Sequence, residues 1–430
     1  MIPPAGALRP LVVMLLLPGV LPVGASPLSA QEGRETIPSL REYIRSQAAR
    51  ITVDGFPKDW GAVPRIPDAS GDVSDPSRDL TSATVVPTDD AILILLETRG
   101  APSREDRAFW INLDVTGNPR PDVQVGLSPG GRHYVRTFDE EGRPRTLLRL
   151  RFTAAVDAAV EVAVPVTELE RILRGRGPLK GNEARDWVRV VAFTWSRSGS
   201  RFGDFTSAAS YRIAPGDFEP PATEEALPAG RLPVSGRWFV SQGPTGSGTH
   251  RGLRAWDLTR TDEGLSPSDP VGACEMDAFF SWDRTVQAPG AALVRAALDD
   301  APDAPPCTPP AGPAGPAEAP GEANEVVLQL PAGNLLRLSH LRQGSVQVRA
   351  GEPVQAGLTL GRVGNSGPTS GPHLHLESLT GDAEPGGPPL SFGPVRVLLN
   401  PVDADPWARV AQRWVPRAGF FVEPAPSGHD

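Results

Sequence analysis

Short apolar runs separated by turn residues recur through the first half of the chain. They fall at Ala91–Glu97, Phe109–Leu113, Val123–Leu127, Ala159–Val164 and Val188–Trp195. Runs of that length at that spacing predict an antiparallel β-sandwich. In the second half, Trp238–Val240, Val326–Leu330 and Leu335–Leu341 read as further strands. The most informative segment follows a glycine-rich turn, Gly364-Asn-Ser-Gly-Pro-Thr-Ser-Gly371, and reads His373-Leu-His-Leu-Glu377. Its alternation has period two, so residues i and i+2 share a face and both imidazoles look into one space. No long amphipathic helix stands out; only the polar stretch Ser39–Ala49 reads as helical. The expected fold class is mainly β, an N-terminal sandwich followed by a second antiparallel sheet domain.

Composition divides this pattern into parts. Residues 1–30 read as a secretory signal: Arg9, an apolar core at Leu11–Leu17, and small-residue cleavage sites at Val23–Ala25 and Leu28–Ala30. The core is too short to span a bilayer comfortably, and no later segment could form a transmembrane helix. The mature chain is therefore expected in the periplasm or outside the cell. The sandwich is placed at 50–214, a Pro- and Glu-rich linker at 215–231, and the second domain at 232–418. Residues 299–322, rich in Pro and Ala, read as an inserted loop over that domain. With 430 residues there is room for two such domains. A net charge of −9 and a pI near 5.3 exclude nucleic acid as the expected partner.

Two neutral imidazoles side by side suit a transition metal, zinc first. An edge strand with two ordinary histidines would look the same in isolation. Yet the chain has only six histidines, and His250 and His340 also lie in segments of site character. Asp114, Asn118 and Asp122 could supply oxygen ligands to a structural calcium ion, or simply close an Asx-rich turn at Gly117-Asn118. Trp60, Trp110, Trp187 and Trp195 could stack on sugar rings. Trp110 and Trp195 sit within apolar runs and favour core packing. His133 reads as an ordinary exposed histidine. Cys274 and Cys307 are the only cysteines, and in an exported chain they favour a disulfide. Neither has a partner at zinc-ligand spacing.

Gly361-Arg-Val-Gly-Asn-Ser-Gly-Pro-Thr-Ser-Gly-Pro-His-Leu-His-Leu-Glu377 resembles the signature of the lysostaphin-type (LytM-type) zinc metallopeptidases, which cut peptide cross-links in bacterial cell walls. Leu338-Ser-His-Leu341, followed by Val346, Val348, Gly351, Val354, Gly357 and Gly361, matches that family's "His-Leu" strand and the turn after it. Gly248-Thr-His-Arg-Gly-Leu-Arg-Ala-Trp-Asp-Leu258 is similar to its His-plus-Asp metal motif. The resemblance covers about residues 232–402 and also implies that Val286–Gly290 and Ala292–Ala296 are paired strands. The N-terminal part resembles family 9 carbohydrate-binding modules at Ile51–Trp60, Leu113–Asp122 and Val160–Leu169, which implies glycan binding or a plain adaptor role.

Carried over residue by residue, the family pattern assigns one zinc ion to His250, Asp257 and His375, with His340 and His373 as the catalytic pair. A zinc ion with three protein ligands leaves a position for water, whose pKa falls to about 7. One feature departs from the pattern. The family spacing is His-x-x-x-Asp, whereas six residues separate His250 from Asp257 here. A subgroup with a longer loop carries its Asp on a strand like Ala255-Trp-Asp-Leu258. The implied function is endopeptidase action on peptidoglycan cross-links. Two alternatives stay open: a cell-wall-binding or regulatory protein of the same fold, and a protease of extracellular glycine-rich proteins.

Overall fold

A computed structural model describes residues 48–426, apart from 62, 89, 116–120, 139–143, 174–186, 197–200, 213–225, 245–249, 251–252, 270–271, 273, 309–321, 404 and 406. The segment expected to be a leader and nearly all of the polar stretch before Arg50 lie outside the described residues. The protein is mainly β, and its sheets are antiparallel apart from one short pair. No helix among the described residues is long and apolar enough to cross a membrane.

All five apolar runs of the first half form strands, distributed over two sheets. One sheet runs Ile66–Pro67, Leu80–Pro87, Ala91–Thr98, Val160–Pro165, Thr153–Val156. The other runs Arg201–Phe205, Trp187–Ser196, Phe109–Asp114, Val123–Gly126, Arg132–Phe138, Pro144–Arg151, with Ala209–Arg212 paired to Trp187–Ser196. Alternation shows at once in burial: Ile111, Leu113, Val125, Val135, Val190 and Ala192 are fully or almost fully buried. The opening Ile51–Trp60 segment is anchored by a buried carboxylate. Glu161 accepts the amides of Asp54 (2.8 Å) and Gly55 (2.7 Å) and the indole N–H of Trp60 (2.8 Å).

One expectation changes here. His133 is buried, because its ring is satisfied on both sides. The Ser128 amide donates to Nδ1 and Nε2–H donates to the Phe152 carbonyl, with the Phe152 ring stacked at 4.3 Å. Trp60 is fully buried in the core, which leaves it no face for a sugar ring. Asp122 accepts the Val115 amide (2.8 Å), as a turn-closing residue does, and Asp114 lies in the field of the Arg189 guanidinium. Asn118 lies outside the described residues.

The second half builds one ten-stranded sheet. Its order is Pro353–Val354, Ala292–Leu298, Glu325–Gln329, Leu335–Ser339, Leu374–Leu379, Ala255–Thr259, Trp238–Gln242, Phe421–Pro424, Val395–Leu398, Arg409–Ala411. Thr285–Gln287 and Ala292–Leu298 do not pair with each other. The chain turns at Pro289-Gly290, sending the first strand to Thr359–Arg362 and the second into the large sheet. Leu227–Gly230 pairs in parallel with Leu390–Phe392.

Buried polar contacts join the two halves. Arg189 donates to the Gly419 carbonyl and lies 5.1 Å from the Phe239 ring centroid. The Ser210 amide donates to Asn400 Oδ1 (2.6 Å), and the Ala208 amide to the Glu263 carbonyl (2.8 Å).

Candidate metal centre

Three neighbouring strands at the middle of the large sheet set the centre. Leu374–Leu379 carries His375, Ala255–Thr259 carries Asp257, and Leu335–Ser339 leads directly into His340. Antiparallel register places His375 opposite Asp257 on one side and Ser339 on the other. Asp257 is flanked by Trp256 and Leu258, both fully buried, so the strand buries its apolar side and turns the carboxylate to the site face. The Trp256 indole donates to the Pro416 carbonyl (2.8 Å), which pins that strand.

His250 Nε2 lies 3.2 Å from Asp257 Oδ1, and His375 Nδ1 lies 2.9 Å from the same oxygen. The three donor atoms fall within 4.8 Å of one another, and all three residues are buried. A tetrahedral zinc ion with bonds of about 2.0–2.1 Å holds its donors about 3.3 Å apart, so this N,N,O set fits zinc in both size and ligand type. His373 Nε2 lies 3.4 Å from Asp257 Oδ1, and the His340 ring sits 4.6 Å from that of His373 and 5.8 Å from that of His375. Thus four histidines and one aspartate, spread over 126 positions from His250 to His375, converge on one space.

Charge is distributed unevenly within it. Burial works to raise the Asp257 pKa, but His373 and His250 outweigh it and hold the carboxylate well below its ordinary range. His340 is pushed well below the ordinary histidine value by burial first, then by His373 and His375, and is a neutral imidazole. Burial opposes protonation of His373 as well, yet the Asp257 carboxylate beside it raises its pKa.

Tautomers follow from acceptors that cannot donate. The Ser366 carbonyl lies 2.8 Å from His340 Nδ1, so the proton is on Nδ1 and Nε2 keeps its lone pair. The Gly371 carbonyl lies 2.9 Å from His373 Nδ1 and accepts the hydrogen bond from its N–H, so the further proton that the Asp257 carboxylate favours is the one on Nε2. His340 itself is left-handed (φ 61°), a strained conformation for a non-glycine residue. One supporting group has no part in the sequence-based reading. Glu377, two residues past His375 on the same face, is buried, lies 3.9 Å from His375 Nε2, and pairs with buried Arg337 at 3.0 Å. Its period-two relation to His375 was the available signal.

Cys274 and Cys307 are joined in a disulfide. Asp72, Asp79 and Asp204 also bring carboxylate oxygens together in the N-terminal half. Two of the three are engaged: Asp79 with Arg99 and the Gly71 amide, Asp204 with the amides of Leu80 and Phe205.

Such a centre is suited to holding a metal ion with two further imidazoles at its side. Residues 314–385, a stretch that includes His340, His373 and His375, match the model of Peptidase family M23. The match does not extend to the N-terminal half, and the carbohydrate-binding resemblance has no support from it. No curated protein sequence matches. Among solved structures, the catalytic domain of a mutant of the prophage-encoded M23 protein EnpA from Enterococcus faecalis is similar at 14% identity, covering 37% of this chain and 95% of that one, with a TM-score of 0.24. The catalytic domain of lysostaphin from Staphylococcus simulans is similar at 17% identity, covering 34% and 81%, with a TM-score of 0.21. A zinc-containing peptidase from Vibrio cholerae is similar at 12% identity, covering 62% and 80%, with a TM-score of 0.20.

Proposed function

We propose that this protein is an exported zinc metalloendopeptidase that hydrolyses peptide cross-links of bacterial peptidoglycan. The observation that carries the reading is the convergence of His250, Asp257 and His375 on one shared oxygen, with His340 and His373 beside them. The M23 family match and the cell-wall-peptidase character of the motifs support the substrate class.

His250 Nε2, Asp257 Oδ1 and His375 Nδ1 would hold the zinc ion, which supplies Lewis acidity toward the scissile carbonyl and the attacking water. His340, neutral and with its lone pair on Nε2 rather than Nδ1, accepts the water proton. His373 holds a proton under the influence of Asp257 and donates from Nε2, first to the oxyanion and then toward the leaving amine. Raising one pKa and lowering the other separates a donor from an acceptor 4.6 Å away.

The N-terminal half is read as holding the polymer. Phe205, Phe193, Trp110, Gly126, Tyr134 and Arg149 occupy successive register positions across its larger sheet. Trp110 stacks parallel to Phe193, and Arg149 lies 3.6 Å from the Tyr134 ring centroid. Aromatic faces with guanidinium donors suit sugar rings.

The test is digestion of purified sacculi, with mass analysis of the soluble fragments, before and after metal chelation and zinc restoration. Fragments carrying a new amine and carboxylate at a peptide cross-link, lost on chelation and regained with zinc, are expected. Intact sacculi after exposure to zinc-loaded enzyme, alongside cleavage of a glycine-rich protein, would reassign the substrate.

A further inference from the structure

The Nδ1–H groups of both catalytic histidines are held by carbonyls of a single glycine-rich turn, at Ser366 and Gly371. A histidine in a left-handed conformation persists only where its surroundings over-determine it. What surrounds this turn is the near end of the long insertion. Asp303 accepts the Asn365 amide at Oδ1 (2.6 Å) and the Gln343 amide at Oδ2 (3.0 Å). Ala304 exchanges two bonds with Asn365: its amide donates to the Asn365 carbonyl (2.9 Å), and its own carbonyl accepts Asn365 Nδ2 (2.7 Å). Five residues further along the turn, the Cys307 amide donates to the Ser370 carbonyl (2.8 Å). The insertion therefore holds the turn at Asn365 and at Ser370, each the immediate neighbour of one of the two carbonyls that hold the histidines.

The contact is close enough to dictate sequence. A Cβ on Gly364 would collide with the Arg342 backbone and with Asp303 Oδ1. Gly364 in turn donates its amide to the His340 carbonyl (2.8 Å), so the insertion, the turn and the strained histidine are consecutive links. Asn324, at the far side of the insertion, closes the arrangement. Its side chain bonds both backbone groups of Ala301 and the Leu341 carbonyl, and its amide donates to Ser366 Oγ. The Cys274–Cys307 bridge fastens the strap at its other end.

We propose that Asp299–Cys307 is a strap whose Asp303 is a positioning residue: by fixing Asn365 it holds the Ser366 carbonyl on His340 Nδ1 and keeps Nε2 of that histidine available to the substrate water. The inference rests on the peptidase reading for its kinetic consequence but not for its structural one. The bonds of Asp303 go to the backbone of Asn365 and Gln343 and not to His250, Asp257 or His375.

The experiment uses the full chain as purified, labelled with nitrogen-15 at histidine. The ring-nitrogen shifts of His340 are read by NMR, together with zinc content and steady-state kinetics on a soluble cross-link peptide. Asp303→Ala is expected to turn a single Nδ1–H tautomer of His340 into a mixture. It should lower kcat by about 10- to 100-fold while leaving KM within about twofold and zinc stoichiometry unchanged. Asp303→Asn, which keeps one acceptor for the Asn365 amide, should lie between wild type and Asp303→Ala in both tautomer mixing and kcat. It decides the matter alone if Asp303→Ala does not fold. An unchanged His340 tautomer and unchanged kcat in whichever variant folds would overturn the proposal. So would a fall in zinc content that accounts for the lost activity. A wild-type enzyme that hydrolyses no peptide would sink the peptidase reading, and the ring-nitrogen shifts, which need no turnover, would still decide the strap.

Discussion

The two halves of the molecule bury aspartates to opposite effect. In the C-terminal sheet, Asp257 is surrounded by imidazole nitrogens, which hold its pKa down against burial. In the N-terminal half, Asp204 is buried and Asp68 partly buried beside other carboxylates. Burial is the leading cause, and their pKa values rise to about 7 and about 6. Desolvation acts in the same direction on all three, so the neighbours decide the sign. A buried anion ringed by nitrogen donors is poised for a cation. Buried anions that face each other are stabilised by backbone amides and arginine, and cost stability when they ionise.

The sharpest way to break this comparison is to remove a ligand. His375→Ala leaves a two-ligand site, and we expect loss of zinc and a fall in turnover of about three orders of magnitude or more. His373→Ala should retain zinc and lose about 10²–10⁴-fold in kcat. Zinc analysis alongside kinetics separates the two. Equal metal in both variants, whether kept or lost, would mean that ligand and catalytic roles are wrongly divided.

Next comes the disulfide. The bridge closes a loop of 33 residues, and in the chain-entropy account its removal costs about 3–4 kcal/mol. The Cys274→Ser/Cys307→Ser double variant should therefore melt well below wild type, and its kcat should fall in the manner of Asp303→Ala. An unchanged melting temperature would show that the strap is held by its hydrogen bonds alone.

A smaller effect is expected at the junction. Arg189 is fully buried and donates to Ser210 Oγ and the Gly419 carbonyl, while burial lowers its pKa to about 10 against the pull of Asp114. Gly419 also donates its amide to Val240, on the strand next to the one carrying Asp257. Arg189→Met should cost about 2–3 kcal/mol, because the contacts go and Asp114 loses its neighbouring cation. If the N-terminal half merely tethers the enzyme to polymer, turnover on a small peptide will not change. If it also braces the sheet, kcat on that peptide will fall.

How much of this was legible in the sequence varies by residue. The five apolar runs and the His373-x-His375 alternation carry their strand character locally, through period-two patterning, and all appear as strands or at a strand start. The convergence of His250, Asp257 and His340 on that strand is a matter of register over more than a hundred positions, and only resemblance to a family suggested it. Asp303 and Ser366 were invisible, because their work is done by a backbone carbonyl and by an insertion with no periodic pattern. His133 was misjudged for a related reason. A single histidine in a polar-looking strand gives no sign that an amide and a carbonyl will satisfy both ring nitrogens.

The smallest effect tests the other side of the comparison. Asp68 accepts the Ser207 amide (2.8 Å) and hydroxyl (3.1 Å), yet burial and the charges of Asp204 and Asp72 lift its pKa to about 7. In the unfolded chain the same group titrates near 3.8. Between those values the folded state binds the proton and the unfolded state does not, so stability must fall as pH rises. The contribution is fully present below about pH 4, declines through the window up to about 7, and is level above it. Asp204, raised to about 6, adds a decline over the lower part of the same window. Asp68→Asn keeps an acceptor for Ser207 and removes the ionisation. Melting temperatures of wild type and variant, taken from pH 4.5 to 7.5, should therefore diverge as pH rises, the variant gaining a few degrees by the upper end. Parallel curves would show that Asp68 ionises freely in the folded protein, and that carboxylates in this half are not crowded as the geometry implies.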